Sequence, residues 1–366
     1  MANIVNATLN LWIYTGDFGS KDEANPDYII YKEKKVNEDI IVFEIGELVR
    51  DYTEVLFSGD YTSIQQSAWA EWQMIRTYDD DTVDDTLVGS AIAFNGYGYF
   101  EDEINPQLSS DILISNTNIY HNCNSLTEKV YVPLLTGSEG ATEVTYLDEF
   151  NVVIRKETLD RETITNLTAD TTEYTADITS LTADMTYIKT VSSEVTEEIE
   201  VPANARTIEI VLADGSTKTL YINCIDCSKY NPYKVSFVNK FGVVQDLWFD
   251  KKRTDNLDVS KDSFKRNTLN ILSSGVDYSI NSSQMMPHNV IGNKRIIMNT
   301  GFVTEDHNEV IQQLMLTESA WIHEGGEVIP IIPKTTSFTY KTTTDDKLIN
   351  FTVEFDYAFD TINNIR

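Results

Sequence analysis

A period of two runs through most of this chain and constrains its fold more than any other feature. In Phe351-Thr352-Val353-Glu354-Phe355-Asp356-Tyr357-Ala358-Phe359 a large apolar residue stands at every second position, the pattern of a strand with one face in a core. Its expected partner is Thr336-Ser337-Phe338-Thr339-Tyr340-Lys341, joined through the polar Thr344-Asp345-Asp346-Lys347, which makes the C-terminus an antiparallel hairpin. A second hairpin is marked by Thr207-Ile208-Glu209-Ile210-Val211-Leu212, the turn dipeptide Asp214-Gly215, and Thr219-Leu220-Tyr221-Ile222. At the N-terminus Ala7, Leu9, Leu11 and Ile13 share one face, and Gly16 to Gly19 close the strand. Two segments argue for helix. Ile45, Leu48, Val49 and Tyr52 form a stripe at helical spacing. Asp306 and Glu309 have capping-box spacing ahead of Ile311, Leu314 and Met315, with Gly325-Gly326 as the expected stop. The fold class expected is mainly β, with antiparallel sandwich or barrel lobes, a few short packed helices and several domains.

Length allows two or three domains in 366 residues. The expected division is an N-terminal β-rich lobe over 1–144 with a helix near 44–56, a middle β domain over 145–230, and a C-terminal β lobe over 231–366 with a helix near 307–322. The middle domain carries a seven-residue repeat within 164–190: Ile164-Thr-Asn-Leu-Thr-Ala-Asp170, Thr171-Thr-Glu-Tyr-Thr-Ala-Asp177, Ile178-Thr-Ser-Leu-Thr-Ala-Asp184. The register is that of a coiled-coil seam, which would make a trimeric stalk. Its many threonines lose side-chain freedom in a helix and favour a loop or strand excursion instead.

The charge narrows the function. With 28 basic and 58 acidic residues the chain carries −30, so it repels phosphate backbones and anionic headgroups, and neither nucleic-acid readout nor membrane insertion is expected. The start Met1-Ala2-Asn3-Ile4-Val5 lacks the basic and apolar regions of a signal peptide, which points to synthesis in a cytosol. Three cysteines are too few for a disulfide scaffold, and four scattered histidines (His121, His288, His307, His323) leave little for a His-based centre.

Each candidate for chemistry has a plainer explanation. Cys224-Ile-Asp-Cys227 has the bite of a zinc site and His121-x-Cys123 could complete it, but a single CxxC lacks its second pair, and buried thiols are the expected state. The acidic run Asp79-Asp80-Asp81-Thr82-Val83-Asp84-Asp85 lacks the glycine and terminal glutamate of a calcium loop and reads as a solvated loop. Trp69 with Trp72, and Tyr97 with Tyr99 and Phe100, have the composition of sugar-stacking platforms, yet aromatics more often fill cores and interfaces. No nucleophile is nominated with its base, so no catalytic, cofactor-binding or metal residue is assigned, no cofactor is expected, and the chain is read as a non-enzyme.

Three stretches carry a resemblance. Cys227-Ser-Lys-Tyr-Asn-Pro-Tyr-Lys-Val-Ser-Phe-Val-Asn-Lys-Phe-Gly-Val-Val-Gln-Asp-Leu-Trp-Phe249, Val42-Phe-Glu-Ile-Gly-Glu-Leu-Val-Arg-Asp-Tyr52 and Phe94-Asn-Gly-Tyr-Gly-Tyr-Phe-Glu-Asp102 resemble segments of uncharacterised virion proteins of tailed bacteriophages, especially those of Bacteroidetes and marine hosts. The resemblance covers about a seventh of the chain, in consistent order, and omits the heptads. It implies a structural protein of the virion, made in the bacterial host cytoplasm. Its partners would be copies of itself, in a tail, baseplate or neck ring, and other virion proteins. The alternative is a trimeric receptor- or carbohydrate-binding adhesin of the tail.

Overall fold

The structure is a computed structural model, and it describes residues 3–16, 18–35, 40–61, 66–99, 112–116, 121–122, 129–134, 141–158, 195–202, 204–212, 215–223, 229–337, 339–342 and 349–361. Two compact units divide the chain. Met1–Asp226 with Ser236–Leu247 forms the first, and Cys227–Val235 with Trp248–Arg366 the second. Residues 1–144 and most of 145–230 thus contribute to one unit, and most of 231–366 to the other. No helix among the described residues is long and apolar enough to cross a membrane.

The first unit opens with a four-stranded antiparallel sheet of β1 (Ile4–Tyr14), β2 (Tyr28–Glu33), β3 (Ser67–Tyr78) and β4 (Val83–Phe94), in the order β2-β1-β3-β4. Ala7, Leu9, Leu11 and Ile13 are buried together as their alternation requires. The helical stripe is present, but the helix is shorter than the 44–56 expected: α1 spans only Gly46–Arg50, a little over one turn. Its Val49, with Ile45, Leu48 and Tyr52, packs on Leu11, Ile13, Ala68 and Ala70, so tertiary burial rather than helix length holds it.

A five-stranded sheet follows, built from β5 (His121–Asn122), β7 (Ala141–Leu147), β8 (Val153–Thr158), β10 (Thr207–Leu212) and β11 (Thr217–Asn223), in the order β5-β11-β10-β7-β8. The ladder of β6 (Lys129–Leu134) and β9 (Val195–Glu200) stands beside it. Val130, Val132, Leu134 and Ile199 from that ladder share one buried cluster with Val144, Tyr146, Ile208, Ile210 and Leu220, the two-layer packing of a sandwich. The expected hairpin is β10-β11, with Gly215 at φ +80° in its turn.

A seven-stranded sheet comprises β12 (Tyr233–Val238), β13 (Val244–Phe249), β14 (Thr254–Lys265), β17 (Met285–Asn299), β18 (Ala320–Glu324), β19 (Glu327–Pro333) and β20 (Thr352–Tyr357); all of it except the Ser236–Leu247 portion of β12 and β13 belongs to the second unit. The order is β13-β12-β18-β19-β20-β17-β14. A small pair, β15 (Leu269–Leu272) with β16 (Gly275–Tyr278), lies between β14 and β17 in sequence.

Three expectations for this unit are corrected. The alternating segment does form β20, and Phe351, Val353, Phe355 and Tyr357 are buried, but its neighbours are β17 and β19. The segment near 336–341 is not its partner. There the chain docks on the helix α2 (His307–Leu316), where Asn308 Nδ2 donates to the Lys341 carbonyl and Oδ1 accepts from the Lys341 N–H, at 2.7 and 3.1 Å. One side-chain amide thereby satisfies the backbone groups a strand would have used. The helix itself ends at Leu316, short of 322, and its N-cap Asp306 makes no capping hydrogen bond. Gly325-Gly326 does not stop the helix but turns the hairpin β18-β19. With φ of +64° and +87° both glycines supply the positive angles of a two-residue turn, closing Glu324 opposite Glu327.

His307 opens α2 almost fully buried. Burial pushes its imidazole down to about 4 against the opposing hydrogen bond with Thr304. The unfolded chain therefore takes up a proton between about 6.5 and 4 that the folded chain refuses. The stabilisation is full above pH 6.5 and is lost as pH falls towards 4, by about 3 kcal/mol. Urea titrations at pH 7.5 and 4.5 should show this loss for the second unit, and His307→Gln should flatten it. An equal loss in that variant would assign the effect to other groups.

Candidate functional site

The residues singled out for chemistry resolve into local structure. Trp69 is half-buried with its ring 4.8 Å from that of Phe18. The Trp72 indole lies over Gly89, its register partner on β4, where any Cβ would collide with it. The acidic run is the β3-β4 turn: the Tyr78 N–H donates to the Thr82 carbonyl, Asp80 accepts from the Thr82 backbone and hydroxyl, and Asp84 pairs with Arg76. The Asp80 carboxylate is thus occupied in shaping the turn, and that of Asp79 accepts from Asn3. Cys123, Cys224, Cys227, Phe100 and the 164–190 heptads lie outside the described residues, and of His121 only the backbone is described. Among the described residues no three metal-ligating side chains come together.

Two of the stretches that carry the resemblance meet in the first unit. The Tyr97 N–H donates to the Lys240 carbonyl at 2.8 Å, and the Lys240 ammonium stands 5.4 Å from the Tyr99 ring. Beneath this turn is a buried polar network. Asn239 Nδ2 donates to the Leu113 carbonyl and to Gln245 Oε1, while its Oδ1 accepts from the Phe241 N–H. Gln245 Oε1 also accepts from the Ser115 N–H at 2.8 Å, and the Val244 N–H donates to Gln66 Oε1. Beside it the Tyr61 hydroxyl donates to Asp246 at 2.7 Å and its ring stacks on Tyr131 at 3.8 Å. Burial, then the Asp246 charge, raises the Tyr61 pKa far above its ordinary value, so the phenol stays a fixed donor. This network braces a turn and was not legible in the sequence, because its members are up to 178 residues apart.

The surface most in need of explanation belongs to the second unit. β14 and β17 pair from Thr254↔Ile297 out to Lys265↔Met285, and β15-β16 lies between them in the chain. Together they make an arm. Of its residues 254–290, 33 of 37 are exposed, so it has almost no core of its own. It nonetheless exposes Leu257, Val259, Phe264, Leu269, Ile271, Leu272, Val276, Tyr278, Ile280 and Met285, with Ile271 at 87% and Ile280 at 91%. The twelve residues of β14 reach about 40 Å at the rise of a strand.

The root of the arm is firmly held. Arg295 bridges Asp258 on β14 to Glu354 and Asp356 on β20 at 2.9, 2.9 and 3.0 Å, and Lys334 adds a 2.8 Å bond to Asp356. Burial works against the charge of Asp356, but Lys334 and Arg295 outweigh it and hold the carboxyl below its ordinary range. An open recess of about 340 Å³ lies here, lined by Leu257, Asp258, Val259, Ser260, Ile291 and Asn293. Asn293 buries its Oδ1 without a hydrogen-bond partner among the described residues.

Set beside known protein families, curated proteins and solved structures, the chain matches none of them.

Proposed function

We propose that this chain is a non-enzymatic structural subunit of a tailed-bacteriophage particle, assembling with copies of itself into a ring of the tail, baseplate or neck. The observation that carries the self-assembly is the arm: ten large apolar side chains exposed on a segment with almost no core. So many large apolar residues exposed on one segment mark an interaction site rather than ordinary solvent-facing residues. The placement in a virion rests on the resemblance of Cys227 to Phe249, Val42 to Tyr52 and Phe94 to Asp102 to phage virion proteins. An antiparallel β architecture suits the reading, because its flat faces and edges bury repeatedly against identical neighbours.

Native mass spectrometry of the purified chain over a wide concentration range tests this. A closed multimer of fixed stoichiometry is the expected result, with six a common number for such rings. A monomer at every concentration overturns self-assembly, and a trimer transfers the reading to the adhesin. Peptides of this chain should also be recovered from purified virions at many copies per particle. Their absence from intact particles would overturn the virion placement.

A further inference from the structure

We infer that the arm, residues 259–291, docks on a second copy of this chain and acquires stable β structure only on docking. This rests on the self-assembly reading and adds to it the element that makes the contact. An isolated two-stranded hairpin is marginal in water, because cross-strand pairs alone do not offset the entropy of ordering both strands. Beyond Gly292, whose carbonyl accepts from the Thr361 N–H, the two strands of the arm pair only with each other among the described residues. β14 is moreover the last strand of its sheet, so its outer row of backbone groups pairs with no strand among the described residues.

Charge selects the occupant. Residues 259–291 hold three basic side chains (Lys261, Lys265, Arg266) and two acidic ones (Asp262, Asp277), a net of +1, in a chain of net −30. All other residues together therefore carry −31. Two copies brought together through any other surface meet like charge, whereas the arm offers a landing surface with none. Lys261, Lys265 and Arg266 cluster along it, and neither Lys261 nor Lys265 forms an ion pair among the described residues. The carboxylate-rich surface of a second copy supplies their partners. Size agrees as well: 28 of residues 259–291 are exposed, within the roughly 20–30 a stable interface takes from each side. The recess at the root, with the buried Asn293 Oδ1, offers the docked copy an acceptor.

Two variants test the inference. In the first, residues 261–290 are replaced by Asn-Gly, which closes a two-residue hairpin between the register partners Ser260 and Ile291. In the second, Ile271→Asp is combined with Ile280→Asp, two changes on fully accessible side chains that leave both cores intact. Both variants should keep the β-sheet circular dichroism of the two folded units. The first should be monomeric by native mass spectrometry, and the second should associate about 100-fold more weakly than wild type. Hydrogen exchange should show the amides of Val259 to Lys265 unprotected in dilute wild-type monomer and protected in the multimer. An arm-deleted chain that forms the wild-type multimer overturns the arm as the contact while self-assembly stands. Arm amides equally protected in monomer and multimer overturn folding on docking. A wild-type chain that is monomeric throughout overturns the self-assembly reading itself.

Discussion

Gly242→Ala should leave the first unit about 3 to 5 kcal/mol less stable, a large part of the roughly 5–15 kcal/mol that holds a typical domain folded. Gly242 sits at φ +81° in the β12-β13 turn, and a Cβ there would lie 2.7 Å from the Asn95 backbone. The first feature costs about 1–2 kcal/mol for any L-residue. The second costs more than ordinary overpacking, because the obstacle is main chain and cannot rotate away. Gly96 faces the same contact from the other side, where a Cβ would collide with the Lys240 carbonyl oxygen. Since no positive φ is involved at Gly96, Gly96→Ala isolates the steric share and should cost about 2–3 kcal/mol. Denaturant unfolding of both variants checks the ranking. Two variants within about 1 kcal/mol of wild type would mean that the two segments do not pack as described.

Asn239→Leu should cost about 3–4 kcal/mol although the two side chains have the same number of heavy atoms, because four polar groups each lose a hydrogen bond at a fully buried position. The Phe241 N–H and the Leu113 carbonyl lose a side chain that supplies both a donor and an acceptor, and Gln245 Oε1 keeps only its bonds from Ser115. Asn239 also shapes the turn by accepting from two later backbone N–H groups, so its loss loosens β12-β13 as well. Gln245→Leu breaks the same Asn239–Gln245 bond from the other side and also strips the Ser115 N–H and hydroxyl of their acceptor. The double variant should lose less than the two single changes summed, and strictly additive losses would show that the two side chains are not coupled.

The amount of this fold that is legible in the sequence differs from element to element. The buried face of β1, the β10-β11 turn and the positive-φ glycine at 242 follow from the chain itself, since alternation and backbone permissiveness are local properties. The Gly-Gly turn of β18-β19 carried an equally local signal between two β-rich arms. It escaped because the preceding helical pattern made the glycines resemble a helix stop. The partner of β20 was not recoverable from local pattern, because Phe355 fits any apolar strand face. Only the packed unit places it at 5.9 Å from Phe249, edge to face.

What the sequence by itself determined is the strand content, the alternation of faces, many of the turns and the charge of −30, all of which depend on a residue and its near neighbours. Only the tertiary structure decided which strands pair, which turns are braced by buried amides, and where apolar faces go uncovered. Leu257 and Val259 alternate with polar residues just as Leu9 and Leu11 do, yet the second pair is buried and the first is exposed. The difference is physical: alternation fixes which side of a strand is apolar, but burial requires something opposite it, and the arm reaches beyond everything its own unit can place there.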